Sequence, residues 1–222
     1  MWRLVTGFPL EGIRVSTFLL SMSPHGRSAR LPASKLNGSA IREPRNADDA
    51  VERIVEGCQA DDPDSQRQLY ELFKDSVYRL VLRMVGRENA MDLSQQVFLT
   101  VFRNIGRFCG RSQFKTWLYR LAVNECLQFR RRVRRDDCSL ANDPVDESSS
   151  GELRSDDREI LDYALLKIEP DLRAIFLLRE VEGFSYSEIA DVLSISDGTV
   201  ASRLNRARSK LQEQLVAIGW EP

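Results

Sequence analysis

The sequence predicts an all-α protein built of two small helical bundles that are joined by a flexible acidic linker. Three observations support this prediction. Apolar residues recur at intervals of three and four from residue 47 onward, an acidic tract interrupts that pattern midway, and two short helices separated by a tight turn follow near the C-terminus. With 222 residues and 42% hydrophobic content, the chain is long enough for two such cores.

The N-terminal region, residues 1–46, is rich in Ser, Arg, Gly and Pro and shows no sustained period. We therefore predict a disordered extension. Its composition changes abruptly around residues 21–24, which makes Met22 an alternative to Met1 as the start of translation. The apolar run at residues 18–20 is too short for a membrane span and a poor signal-peptide centre, so we expect a soluble chain without membrane insertion.

The cysteine and histidine content of the chain limits the metal, disulfide and catalytic sites that it can form. The four cysteines form no C-x-x-C pair, which argues against a zinc ribbon or a disulfide framework and fits a reducing cytoplasm. The single histidine, His25, lies in the N-terminal extension, and we find no glycine-rich phosphate loop, nucleophile elbow or spaced set of carboxylates. The sequence therefore predicts no catalytic residue, no metal, no cofactor and no small-molecule substrate.

The first bundle is predicted over residues 47–135. Its second helix begins at Ser65, ends near Gly86 and places these apolar residues on one side: Leu69, Leu72, Phe73, Leu80 and Met84. The third helix, from Asn89 to about Arg107, is apolar over a wide arc beside a mixed stripe: Asp92, Gln96, Leu99 and Arg103. Such an arc suits a helix that packs on both its own domain and a partner, although a helix central in its own bundle fits the pattern equally well.

An aromatic and basic helix follows a loop at residues 106–113 and continues into five arginines between positions 130 and 135. Rings stack on unpaired bases, at about 1–3 kcal/mol per base, and arginines neutralise the nucleic-acid backbone. Core packing is the default for these rings, since Trp117 has core spacing. We nominate only Phe108, Trp117 and Tyr119 as candidate base contacts, together with Asn124, whose amide can read a base edge.

The acidic tract at residues 136–157 contains Pro144, three consecutive serines and Gly151, and it predicts a flexible linker. The second bundle is predicted over residues 158–222. Its first two helices are expected at residues 158–167 and 171–180, with Pro170 breaking the chain between them.

The two short helices near the C-terminus predict a helix-turn-helix. The first runs from about Ser187 to Leu193, capped by Ser185 or Ser187, and Asp197 is the expected N-cap of the second. The apolar stripe of the second helix is Val200, Leu204, Ala207, Leu211 and Leu215. One flank carries hydroxyls and cations suited to phosphates and base edges: Thr199, Ser202, Arg203, Arg206 and Lys210. An ordinary amphipathic hairpin with a solvated basic face is the alternative.

Four segments, taken in order, resemble bacterial sigma factors of the extracytoplasmic-function class. They are DLSQQVF at residues 92–98, FKTWLYRLAVN at 114–124, EGFSYSEIA at 182–190 and GTVASRLNRAR at 198–208. The resemblance covers about residues 47–215. It implies two conserved regions, one that contacts RNA polymerase and opens the minus-ten promoter element and one that reads the minus-thirty-five element.

The resemblance also implies roles for individual residues. The polymerase-binding stripe is Asp92, Gln95, Gln96, Leu99 and Arg103. The residues that melt the minus-ten element and capture a base are Phe108, Arg111, Trp117, Tyr119, Arg120 and Asn124. The acidic linker corresponds to the segment that threads the polymerase channel, and the basic flank of the helix-turn-helix corresponds to the minus-thirty-five reader. Gln96 stands where the family usually has glutamate, and Ala201 where a lysine or arginine is common.

Two other functions share some of these features. A transcriptional regulator could use the same helix-turn-helix on duplex DNA without acting as a polymerase subunit, and a helical interaction module could bind polymerase without DNA. The aromatic and basic helix, in place of a sensing or dimerising domain, favours a sigma factor. The implied partners are core RNA polymerase, promoter DNA and an anti-sigma factor that no residue here identifies.

Overall fold

The computed structural model describes residues 46–139 and 157–220, and within these ranges the regular structure is helical and contains no strand. The prediction of an all-α fold is confirmed. The eight α-helices are α1 Asn46–Gln59, α2 Pro63–Val85, α3 Arg87–Asn104, α4 Phe114–Ser139, α5 Asp157–Leu166, α6 Pro170–Phe176, α7 Tyr186–Leu193 and α8 Asp197–Ala217. The expectations for the N-terminal extension, Met22, His25 and residues 140–156 lie outside the described residues.

Helices α1 to α4 form a proximal module, which we define as residues 46–139. Asp62 caps α2 by accepting hydrogen bonds from the backbone N–H groups of Asp64 and Ser65, and Pro63 occupies the first helical position. Gly86 separates α2 from α3 with φ of 92°, a value that favours glycine.

The predicted apolar side of α2 is buried at three of its five positions, namely Leu69, Leu80 and Met84, and half-buried at Phe73. Leu72 is 53% exposed, so its assignment to the core is wrong. The cause is its place on the edge of the packed face, where it lines a cleft of about 720 Å³ with residues of α1, α4 and Glu182. A helical period alone does not show where neighbouring helices stop covering a face.

Helices α5 to α8 form a distal module, which we define as residues 157–220. Pro170 begins α6 at its first helical position, where the missing N–H is not needed, and α6 continues into a π-helical turn at Leu177–Val181. The apolar stripe predicted for α8 is buried at all five positions. The side chain of Arg208 leaves α8 on another face and pairs with Glu180 of the π-helical turn at 2.5 Å.

The two modules pack against each other, which the prediction of bundles connected only by a linker did not anticipate. Helix α7 lies against α4, α5 lies against α2, and α6 contacts both α2 and α4. Helix α4 also extends to Ser139, so the first residues of the predicted flexible linker, 136–139, are helical.

Candidate nucleic-acid and polymerase interfaces

The helix-turn-helix consists of α7, a tight turn and α8. A capping box begins α7: the Ser185 Oγ accepts a hydrogen bond from the Glu188 N–H, and the Glu188 carboxylate accepts one from the Ser185 N–H at 2.7 Å. Ser194 ends α7 in the left-handed conformation, with φ of 54°. The capping box thus fixes the start of α7, and the left-handed Ser194 turns the chain towards α8.

Ser196, rather than the predicted Asp197, is the N-cap of α8. Its backbone is extended and its Oγ accepts from the Thr199 N–H at 3.4 Å, while Asp197 is the first helical residue. Two adjacent capping residue types made the position ambiguous in the sequence. Asp197 still stabilises the helix, since a carboxylate in the first turn interacts favourably with the helix dipole.

The basic flank of α8 faces solvent. Ser202, Arg203 and Arg206 are exposed, while Thr199 and Lys210 are half-buried. The Thr199 hydroxyl bonds the Ser196 hydroxyl at 2.7 Å, so it belongs to the cap as well as to the flank.

The cations of that flank differ in their partners. Arg206 lies 3.8 Å from the Glu169 carboxylate, and Lys210 lies 2.7 Å from that of Glu213. Arg203 has no ion pair among the described residues. Arg203 is therefore the cation of this flank that can bind a base edge or phosphate without first leaving a carboxylate.

The mixed stripe on α3 also faces solvent. Asp92, Gln95, Leu99 and Arg103 are exposed, Gln96 is half-buried, and the opposite side of α3 packs into the proximal core. Met91, which is 59% exposed, extends the stripe because it lies one turn before Gln95. The sequence reading missed Met91, although a methionine four residues before a stripe member was the available signal.

The loop before α4 is held by α1. The Gln59 side-chain amide donates to the backbone oxygens of Ile105 and Phe108, at 3.0 and 2.8 Å. The Phe108 ring then packs edge-on to Phe114 at 5.5 Å and lies 5.4 Å from the ring of Trp117. Phe108 and Trp117 are half-buried, so the structure brings two of the predicted base contacts together in one ring cluster with part of each ring accessible.

Three of the predicted melting residues, Trp117, Arg120 and Asn124, recur at intervals of three and four along α4 and so share one face. Asn124 is exposed, as is Arg111 in the loop. Arg120 is half-buried, and its Nε is buried without a hydrogen-bond partner among the described residues.

Tyr119 lies on the opposite side of α4 and is fully buried between the modules. Its hydroxyl donates to the Glu182 carboxylate at 2.5 Å, and its ring packs on Phe184 at 5.1 Å. Burial and the Glu182 charge raise the pKa of Tyr119 far above its usual range. Contrary to the expectation of a base contact, the described arrangement makes Tyr119 inaccessible to DNA, because its ring fills the junction with the distal module.

The turn at residues 182–184 of the distal module contacts α4, and its backbone shape makes this contact possible. Gly183 has φ of 74°, which lets Glu182 and Phe184 both point at α4. The Lys115 ammonium lies 4.9 Å from the centre of the Phe184 ring and donates to the Glu182 backbone oxygen at 3.3 Å. The EGFS segment therefore serves as a contact between modules as well as an entry to α7.

A second junction involves the buried Arg173 of α6. Its guanidinium donates to the backbone oxygens of Met84 near the end of α2, of Leu166 at the end of α5 and of Ile168 just after α5. Burial lowers the pKa of Arg173 to about 10, so it stays cationic at neutral pH. Arg83 reinforces this junction by pairing with Asp162 at 3.1 Å. Sequence reasoning missed both arginines because charged residues on amphipathic helices usually face water.

The described ranges contain no group of three or more His, Cys, Asp or Glu residues placed to hold a metal ion. No helix in them is long and apolar enough to span a bilayer. Cys58 and Cys126 are buried, and burial raises the pKa of the Cys126 thiol to about 12.

Comparison with known protein families accounts for both modules. Sigma-70 region 2 matches residues 69–136, and Sigma-70, region 4 matches residues 158–211. The ECF RNA polymerase sigma-E factor of Haemophilus influenzae is 32% identical over 177 residues, which cover 73% of this chain and 93% of that protein. The RNA polymerase sigma-H factor of Pseudomonas aeruginosa is 31% identical over 179 residues, covering 74% and 93%.

A solved structure is similar to the chain as well. The sigma factor RpoE of Bartonella quintana, in complex with the anti-sigma factor NepR, has a TM-score of 0.55 and 27% identity, covering 67% of this chain and 95% of that one. The chain belongs to the extracytoplasmic-function sigma factors, the sigma-70-like factors of transcription initiation.

Proposed function

We propose that this chain binds core RNA polymerase through the α3 stripe, reads the minus-thirty-five element with the basic flank of α8 and holds an unpaired minus-ten base against the loop and α4. The proximal module, the acidic tract and the distal module are the corresponding functional divisions. The observation that carries this proposal is the presence, in one chain, of a capped and solvent-facing reading helix and a solvent-facing stripe on α3.

The proposed chemistry is entirely non-covalent. Unstacking DNA costs about a few kcal/mol per step, and a pocket for an extruded base recovers that cost through stacking and hydrogen bonds. The Phe108 and Trp117 rings supply the stacking surface and Asn124 the hydrogen bonds. The factor thus needs no catalytic residue, cofactor or nucleotide hydrolysis, and it works in the cytoplasm beside polymerase and promoter DNA.

Transcription by reconstituted holoenzyme tests the proposal. The purified chain is mixed with core RNA polymerase and genomic DNA fragments, and the 5′ ends of the transcripts are sequenced. We expect initiation at a set of starts that share two upstream elements. Duplex binding without initiation would instead indicate a regulator, and polymerase binding without initiation would indicate an interaction module.

An anti-sigma factor is a further proposed partner. Support comes from the structural similarity to the Bartonella quintana factor, whose structure is a complex with such a protein. Co-purification of the chain at native expression levels, followed by mass spectrometry and a transcription assay with the recovered protein, checks this. A co-purified protein that leaves transcription unchanged would contradict it.

A further inference from the structure

Helix α1 reaches the proposed base-capturing loop through the side chain of Gln59. Gln59 is the last residue of α1, and its amide nitrogen donates to the backbone oxygens of Ile105 at 3.0 Å and of Phe108 at 2.8 Å. A side-chain amide has two N–H donors, so these two bonds use both of them. Gln59 lies outside the proposed sites and outside the match to Sigma-70 region 2, which begins at residue 69.

The two acceptors lie at the two ends of one turn. Ile105–Arg107 forms a 3-10 turn directly after α3, and the Phe108 N–H donates back to the Ile105 oxygen at 3.0 Å. Gln59 therefore bridges the start of this turn and the residue that follows it. Because hydrogen bonds are directional, two bonds from one amide restrain both the position and the orientation of the turn.

The backbone that carries Gln59 is itself closely held. The Asp62 N–H donates to the Gly57 oxygen at 3.0 Å, which closes the turn between α1 and α2. Gly57 lies so close to α2 that an added Cβ would clash with the Ser65 side chain. Cys58, directly before Gln59, is buried in the proximal core. The Gln59 amide thus extends from a fixed point of the proximal module, so it can restrain the loop instead of following it.

The restrained residue Phe108 carries one of the two rings proposed to stack on the unpaired base. Its ring lies 5.4 Å from that of Trp117 and 5.5 Å from that of Phe114. After Phe108, residues 109–113 form neither helix nor strand, and Gly110 has φ of 69°. The bonds from Gln59 therefore hold Phe108 at the point where the regular structure after α3 changes to an irregular loop.

We propose that Gln59 is a positioning residue for base capture, which acts through the Phe108 backbone to hold the stacking surface in place before DNA binds. This inference rests on the proposed function. A loop that is ordered before binding loses less conformational freedom when the base arrives, so a preformed stacking surface binds the base more tightly. Helix α1 is then a functional part of the minus-ten site, although Gln59 contacts no base itself.

The test measures binding of holoenzyme to forked promoter DNA whose minus-ten bases are unpaired. A set of such DNAs carries an abasic site at each minus-ten position in turn, and the position where base removal most weakens wild-type binding identifies the captured base. Gln59→Leu removes both donors, and Gln59→Glu replaces them with an oxygen that repels the two carbonyl oxygens. The control Gln68→Glu makes the same change of charge at an exposed position of α2.

We expect both Gln59 variants to bind the intact fork about tenfold more weakly than the wild type does, as the loss of two ordinary hydrogen bonds implies. On the DNA that lacks the captured base, the variants and the wild type should bind equally, because no base remains for the loop to hold. The Gln68→Glu control should match the wild type on both DNAs. A role in stability alone would weaken binding to both DNAs.

A second measurement determines whether Gln59 acts through Phe108. Because Phe108→Ala removes the ring, adding Gln59→Leu to it should cause no further loss of affinity for the intact fork, whereas two independent contributions would add. The thermal midpoint of each variant and its affinity for core polymerase, both measured without DNA, establish that the variants are folded.

Equal losses on the intact and the abasic DNA would overturn the inference, as would unchanged binding of the Gln59 variants to the intact fork or additive losses with Phe108→Ala. A wild-type holoenzyme that binds every abasic DNA as well as the intact fork captures no base. That result would overturn the proposed function instead.

Discussion

The two proposed DNA-binding helices, α4 and α8, differ in how exposed their predicted DNA-contacting side chains are. On α8, Arg203 and Arg206 project into solvent from a helix whose other side is buried. On α4, Trp117 is half-buried in a ring cluster and Tyr119 is sealed between the modules. A cation on an exposed flank can meet an anion without any rearrangement of the core, whereas an aromatic ring suits a core, a junction or a base equally well.

Leu204→Ala should have the largest effect, because Leu204 is fully buried beneath the reading flank of α8. Truncation of a buried leucine typically costs about 2–5 kcal/mol, so we expect the distal module to lose its cooperative unfolding transition or to unfold at much lower denaturant. Urea denaturation followed by circular dichroism measures this. Val216→Ala, at a position 61% exposed, is the control, and an equal loss there would contradict the burial argument.

Arg203→Ala tests whether the open flank of α8 reads sequence. We expect discrimination between the cognate and a scrambled minus-thirty-five element to fall by about 1–3 kcal/mol, because the variant loses a bidentate contact to a base edge. Competition binding with holoenzyme gives this value. Equal losses on both DNAs would reduce Arg203 to a phosphate contact.

Asn124→Ala tests the accessible part of α4. If Asn124 holds an extruded base, promoter opening should fall about tenfold, which is about 1.4 kcal/mol, while binding to the closed duplex changes little. Permanganate reactivity of unpaired thymines measures opening, and filter binding measures the duplex. Asn205→Ala, on the exposed side of α8, is the control. Parallel losses in opening and duplex binding would place Asn124 on the duplex instead.

Ser196→Ala should give the smallest effect. It removes the N-cap of α8, so we expect the distal module to lose about 1 kcal/mol of stability and the reading helix to fray at its first turn. The thermal midpoint measures this loss. Ser209→Ala, at an exposed position within α8, should leave the midpoint nearly unchanged, and an equal shift there would show that the cap is not the cause.

Local patterns were sufficient where a helix buries one whole face in its own module. The apolar stripe of α8 packs against the rest of the distal module, and its five predicted core residues are all buried. Leu72 and Ser196 show the limits of the same reasoning, because one depends on the extent of a neighbouring helix and the other on a choice between two adjacent caps. Met91 was missed because its only signal in the sequence is its position four residues before Gln95, and an apolar residue there is equally compatible with the core.

The sequence by itself determined the all-helical class, the helix-turn-helix with its exposed basic flank and the family, since short-range spacing and capping depend on residues three or four apart. Only the tertiary structure decided that Arg173 is buried between two helix ends and that Tyr119 meets Glu182. Tyr119 and Glu182 are more than sixty positions apart in the sequence, so no local pattern relates them. The burial that makes both contacts favourable comes from the packing of one module on the other.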